Sequence, residues 1–152
     1  MLAPYRRHLA LIMSLLFLEV AGARASTWRV ERDGSGDYTD IPTAIAAASV
    51  GDTIRIGPGQ FTETVPFVFA PPSYTTDVYV PVSVDSLTII GSGNDQTTIG
   101  PTSPNFVGEG PKGVVAPQGI TFLEVRDLSI ENVKHGVFLT GKCDIINLRL
   151  QG

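Results

Sequence analysis

The sequence predicts an all-β fold, a right-handed parallel β-helix whose first coil is closed by a short helix. Three observations carry this. Beyond Gly51 the chain reads as apolar strands of three to five residues, each closed by Gly, Asn or Pro. Asp127-Leu128-Ser129-Ile130-Glu131-Asn132 aligns with Asn147-Leu148-Arg149-Leu150-Gln151-Gly152 at a constant offset of 20 residues. A period near 20 with short apolar strands marks a solenoid, in which each turn of chain buries its apolar side chains against the next. One amphipathic helical face precedes all of this, placed where a first coil needs a cover.

Each 20-residue turn holds strands and no helix, which separates the pattern from a leucine-rich repeat. In a stacked coil Leu128, Ile130, Leu148 and Leu150 point inward, and Ser129, Glu131, Arg149 and Gln151 point outward. Glu131 then lies diagonal to Arg149, an exposed ion pair worth about 0–1 kcal/mol. Ser86-Leu87-Thr88-Ile89 fits the same phase, 41 residues before Asp127 to Ile130.

The elements follow in chain order. Residues 1–25 have the three-part layout of a secretory signal peptide: basic Arg6-Arg7-His8, an apolar run from Leu9 to Val20, and the small residues of Ala23-Arg24-Ala25. The run is too short to span a bilayer about 30 Å thick. The chain is therefore expected to be secreted, with 26–152 as one mature domain and no further membrane span. Thr27 to Glu31 alternates as a strand. Asp33-Gly34-Ser35-Gly36-Asp37 is a tight turn; it lacks the Lys-Ser/Thr of a P-loop and the third glycine of a dinucleotide fingerprint. Ile41, Ala44, Ile45 and Ala48 share one helical face, with Asp40 as N-cap, Pro42 in the first turn and Gly51 placed to end about ten residues of helix in a left-handed conformation.

Strands follow at Ile54–Ile56, Leu87–Ile90, Thr97–Gly100, Ile120–Leu123, Leu128–Ile130, Val137–Leu139 and Leu148–Leu150. The proline-rich stretches 62–86 and 101–119 read as loops bulging from the scaffold. The last strand is followed by only Gln151 and Gly152, so the domain reads as C-terminally truncated. Its open edge predicts self-association.

Composition narrows the function. A chain of 152 residues suits one domain, and 43 % hydrophobic with 17 % charged residues excludes a disordered chain. The net charge is −4; loss of the signal removes three basic residues and one acidic residue, giving −6. That argues against a nucleic-acid partner. Cys143, the lone cysteine, cannot form an internal disulfide and reads as a buried, inert thiol. No Cys/His spacing suggests a metal, and no motif suggests a cofactor.

The run VERDGSGDYTDIPTAIAAASVGDTIRIGPGQFTETV, residues 30–65, resembles the N-terminal start of the pectin-lyase-like superfamily of right-handed β-helices. Its DGSGDY…AI…I.I.PG…E.V pattern is similar to pectin methylesterases and to general secreted β-helix proteins. GITFLEVRDLSIENVKHGVFL, residues 119–139, is also similar to a pectin methylesterase coil. The resemblance covers essentially all of the mature chain. It implies a pectinesterase-like hydrolase or a polysaccharide lyase acting on pectin-type carbohydrate. It also implies a catalytic glutamine at the position of Gly136, which has no side chain, and further catalytic residues in coils beyond Gly152. The aspartate cluster of pectate lyases and the motifs of polygalacturonases do not appear.

Weak catalytic candidates are then Glu131, His135 and Arg149, with Lys134 beside them: a carboxylate, an imidazole and cations expected near one sheet edge. Asp127 and Asn147 are expected to cap turns at strand starts. Two functional classes follow. One is the N-terminal portion of a secreted enzyme acting on polysaccharide, inactive by itself. The other is a non-catalytic secreted surface or glycan-binding module.

Overall fold

The computed structural model describes residues 24–69, 73–104, 108–139 and 144–151. Almost all of the expected signal segment, and Cys143, lie outside the described residues.

The fold is mostly β. Strands β1 (Thr27–Val30), β2 (Thr53–Ile56), β3 (Gly59–Phe61), β4 (Val65–Phe69), β5 (Tyr74–Pro81), β6 (Leu87–Ile90), β7 (Thr97–Ile99), β8 (Lys112–Ala116), β9 (Leu123–Glu131), β10 (His135–Leu139) and β11 (Asp144–Gln151) form two sheets, with helix α1 (Ile41–Ala47) between β1 and β2. The seven-stranded sheet has the order β1-β2-β6-β9-β7-β3, with β11 also on β9. All its pairings are parallel. The four-stranded sheet has the order β10-β8-β5-β4 and is parallel except for the β4–β5 hairpin.

The large sheet curls because β9 serves both of its halves. Leu123 to Arg126 pair with Leu87 to Ile90, and Ser129 and Ile130 pair with Thr98 and Ile99. Between them Asp127 has φ +58°, which turns the strand. The strand below makes its corner with Gly91, whose N–H donates to the Arg126 carbonyl at 2.9 Å. A Cβ on Gly91 would lie 2.2 Å from the Asp127 carbonyl oxygen, so two passes of chain meet here at backbone distance. Thr97 ties the corner below: its buried hydroxyl donates to the Gly57 carbonyl at 2.9 Å and accepts from the Ser92 N–H at 2.9 Å.

Alternation within the stack sorts the side chains. Ile54, Ile89 and Val125 are register neighbours and buried, as are Leu87 and Leu123. They join Val30, Ile56, Phe61, Ile99, Leu128 and Ile130 in one core. The intervening register row, Arg29, Arg55, Ile90 and Arg126, is not buried. The stack is solenoid-like in part, each pass of chain lying over the last about 4.8 Å away.

The helix has its expected face. Ile41, Ala44, Ile45 and Ala48 are buried in the core, α1 lies against β1, β2 and β5, and the Asp40 carboxylate accepts from the Thr43 N–H at 2.8 Å. It is shorter than expected, ending at Ala47 with Ala48 as C-cap in extended conformation. Gly51 is left-handed at φ +86° but belongs to the following turn. Ser49 and Asp52 replace it as the stop. The Asp52 carboxylate, 2 % exposed, accepts from the N–H groups of Ser49 (2.8 Å) and Ser26 (2.7 Å) and from Trp28 Nε1 (2.9 Å).

Burial pushes the Asp52 pKa up, but these three donors outweigh it and hold the group below its ordinary value. Asp52 therefore stabilises the fold at pH above about 3.8, and that contribution fades as pH falls below it towards the lower folded value. Asp52→Ala strands three donors and is expected to cost about 2–4 kcal/mol near neutral pH. A urea titration at pH 7 showing no change would remove Asp52 from that role.

Other expectations are corrected. Stretch 62–86 holds the antiparallel β4–β5 hairpin, and stretch 101–119 holds β8, whose five residues are all buried. Their prolines fall where no ladder needs an N–H: Pro66 is on β4, at the sheet edge, Pro81 closes β5 and Pro111 precedes β8. The 20-residue offset stands, with Leu128 beside Leu148 and Ile130 beside Leu150. The 41-residue phase does not, because Leu87 pairs with Leu123 and not with Leu128. The strand expected at Ile120–Leu123 begins only at Leu123, with Ile120 to Phe122 outside it, and runs on through Asp127 to take in the one expected at Leu128–Ile130. Asp127 thus sits mid-strand and caps no strand start.

Candidate functional site

The described surface carries a cleft of about 380 Å³ on the large sheet, lined by Arg29, Glu31, Arg55, Ile56, Gly57, Ile90, Gly91 and Ser92. Its floor includes the backbone of Gly57 and Gly91. Its walls come from the outward register row. Arg29 on β1 lies directly beside Arg55 on β2. The Arg29 guanidinium donates to Glu31 at 3.3 Å, while Arg55 is exposed and has no partner among the described residues. Glu31 leans over Gly57: a Cβ there would fall 1.9 Å from Glu31 Oε2. The cleft thus offers two arginines on neighbouring strands, one paired with a carboxylate and one open, beside Ser92. Such planar forks suit carboxylate or other oxyanion groups.

The sequence carried a trace of this pair. Trp28-Arg29-Val30 and Ile54-Arg55-Ile56 both set an arginine between apolar residues, 26 positions apart. Without the register, nothing showed that the two are neighbours.

The expected site residues are dispersed instead of gathered. Glu131 ends β9, half-buried, beside Gln151 of β11. Arg149, opposite Ser129 on β11, reaches Asp95 at 2.5 Å and not Glu131. Asp95 belongs to the turn before β7, and that turn lies beside the second half of β9 because β7 pairs with it. Ser129, expected outside, is fully buried and donates to the Asn94 carbonyl at 2.5 Å. Leu150, expected inside, is 57 % exposed. His135 opens β10 on the other sheet, and Lys134 Nζ donates to the Gly108 carbonyl at 2.6 Å. Gly136 lies where a Cβ would meet the Leu150 side chain at 2.7 Å, so a larger residue there displaces Leu150.

A second polar centre lies on the small sheet, and no sequence feature announced it. Lys112 on β8 is 1 % exposed. Its Nζ stands 5.8 Å from the Phe69 ring centre, 5.7 Å from Tyr74 and 5.9 Å from Phe138. It lies 3.3 Å from His135 Nδ1 and 3.9 Å from the Glu109 carboxylate. Burial, then the Lys134 charge, lowers the Lys112 pKa against the opposing pull of Glu109. Loss of water, then the charges of Lys112 and Lys134, lowers that of His135.

Among the described residues no group of three His, Cys, Asp or Glu side chains could hold a metal ion, and no helix is long and apolar enough to cross a membrane. Fold and cleft together define a mostly β chain with a curled, partly solenoid-like parallel stack and a cationic cleft on its face. Comparison with known proteins found no matching family model and no matching curated protein.

Proposed function

We propose that residues 26–152 are the N-terminal coils of a secreted right-handed parallel β-helix protein that acts on pectin-type polysaccharide, and that these coils contribute binding and no chemistry of their own. Arg29 and Arg55, register neighbours that both line the cleft, carry the reading. Like charges on neighbouring strands repel, so an exposed Arg55 beside Arg29, with no partner among the described residues, is matched by an external anion. A polymer bearing carboxylates along its length supplies anions at intervals comparable to the strand step of about 4.8 Å. The resemblance of residues 30–65 to the start of pectin-lyase-like proteins points to the same class of ligand. The dispersal of Glu131, His135 and Arg149, with Arg149 held by Asp95 and His135 by Lys112, favours binding over catalysis within this stretch.

Polygalacturonate is the test ligand, with neutral galactan as control. The chain is expected to bind the acidic polymer in a salt-sensitive manner, and Arg55→Ala to weaken that binding about tenfold, as loss of one charge-assisted contact does. Equal retention on both polymers, or an unaffected Arg55→Ala variant, would refute the reading.

A further inference from the structure

Lys112 occupies a position unlike that of any other cation in the described chain. It is buried, it faces three aromatic rings, and its nearest polar atom is an imidazole nitrogen. An ammonium carries three donors and no acceptor. With Lys112 charged, the His135 nitrogen at 3.3 Å is the acceptor, which requires a neutral imidazole with its proton on Nε2. The rings join three elements. Phe69 ends β4, Tyr74 begins β5, and the two stack at 4.9 Å with planes 11° apart; Phe138 of β10 meets Phe69 edge-on at 5.2 Å. Lys112 thus links the tip of the β4–β5 hairpin to β10 across β8.

We propose that Lys112 and His135 form an acid-sensitive latch that pins the tip of the β4–β5 hairpin, where Phe69 and Tyr74 face Lys112, and loosens it when His135 is protonated at Nδ1. Protonation removes the acceptor and sets a second cation beside the first. His135 is exposed, so its ring can take the proton and turn to water. Lys112 cannot follow without leaving the rings. The charged groups around the latch are few. Glu109, at 3.9 Å from Lys112, favours the cations, and Lys134, next to His135, opposes them. From the hairpin side Tyr74 presents only a ring face to Lys112. Thr76, whose hydroxyl donates to the Gly110 carbonyl at 2.5 Å, is a further tie near the tip and carries no charge; beyond it β5 is fixed by its ladder to β8 and by the buried Val78, Tyr79 and Val80.

The sign follows from the lowered His135 pKa: the latch is fully present above about pH 6.5 and is lost as pH falls through that value towards the folded pKa. The chain's other histidine is His8, so few groups titrate in this window.

The experiment uses the full chain and two readouts. Nitrogen-detected NMR of His135 is expected to show the Nε2-protonated tautomer at neutral pH. Hydrogen exchange of amides in 67–69 and 74–76, corrected for intrinsic rate, is expected to rise about tenfold between about pH 7.5 and about pH 5, the range in which an imidazole charges, while that of 78–80, laddered to β8, is expected to stay unchanged. His135→Gln, which carries no titrating group, is expected to abolish that rise. Lys112→Met is expected to raise the His135 pKa by removing the neighbouring charge. An Nδ1-protonated tautomer, exchange in the hairpin that ignores pH, or a full pH response in His135→Gln would each overturn the latch. The tautomer reading needs no variant, so it stands even where a substitution prevents folding.

Discussion

Ile45→Asp is expected to unfold the N-terminal end of the protein. Ile45 is 1 % exposed and lies in the same core as Val30, Ile54 and Ile56, under the face of α1. Removing its hydrocarbon alone costs about 2–5 kcal/mol. A carboxylate in its place adds several more, because it must be buried charged or bind a proton. The sum approaches the whole stability of a typical domain, about 5–15 kcal/mol. Trp28 is the reporter: it is the only tryptophan, its indole N–H donates to Asp52, and its ring meets Tyr38 edge-on at 5.7 Å. Its emission should shift to that of a solvated indole under native conditions. Ile45→Val, which keeps the shape, should cost about 1 kcal/mol. A melt and an emission spectrum unchanged by aspartate would mean that α1 does not cover the core.

Gly100→Ala should be nearly as damaging, for a different reason. Gly100 has φ +130°, a region that residues with a Cβ rarely adopt, and an added Cβ would lie 2.0 Å from the Glu131 carbonyl oxygen. The first term is worth about 1–3 kcal/mol. The second is an overlap with the backbone of β9, which is held in register on β7 just before it, and overpacking of this kind costs about 1–3 kcal/mol. Together they predict a loss of about 2–6 kcal/mol in urea unfolding at neutral pH. Gly108 is the control, being left-handed at φ +64° with nothing within 4 Å of an added Cβ, so alanine there should cost only about 1–2 kcal/mol. Equal effects at the two sites would show that conformation alone, and not the approach of β9, requires the glycine at position 100.

These two positions show what the sequence made legible. Periodicity gave the buried face of α1 and the partnership of Leu128 with Leu148, since both depend on side-chain spacing along one segment. Contacts set by backbone geometry left no such mark. Asp127 looks like a turn residue and is one, but its turn lies inside a strand, so the phase before it was set five residues out. Pro66 and Pro81 are turn formers in isolation and are tolerated in strands here by their edge and end positions. Ser129 was placed outside by alternation. It lies inside because the turn carrying Asn94 covers it and supplies an acceptor. The Arg29–Arg55 neighbourhood needs the register of two strands and the Lys112 enclosure that of four, and a single sequence encodes either only through the fold.

The spacing between register partners has a practical consequence. Thr27 and Thr53 are 26 residues apart, Leu87 and Leu123 are 36 apart, and Leu128 and Leu148 are 20 apart, yet each pair occupies equivalent places in one ladder. The ladder is indifferent to how much chain separates its members. Closing a loop of twice the length costs only about 0.6 kcal/mol. The excursion through Thr102, Ser103 and Pro104, exposed and ahead of β8, is therefore a place where a foreign peptide can be grafted without altering any strand partner. The stack below it would serve as a display scaffold, with the cleft of Arg29 and Arg55 left intact on its first two strands.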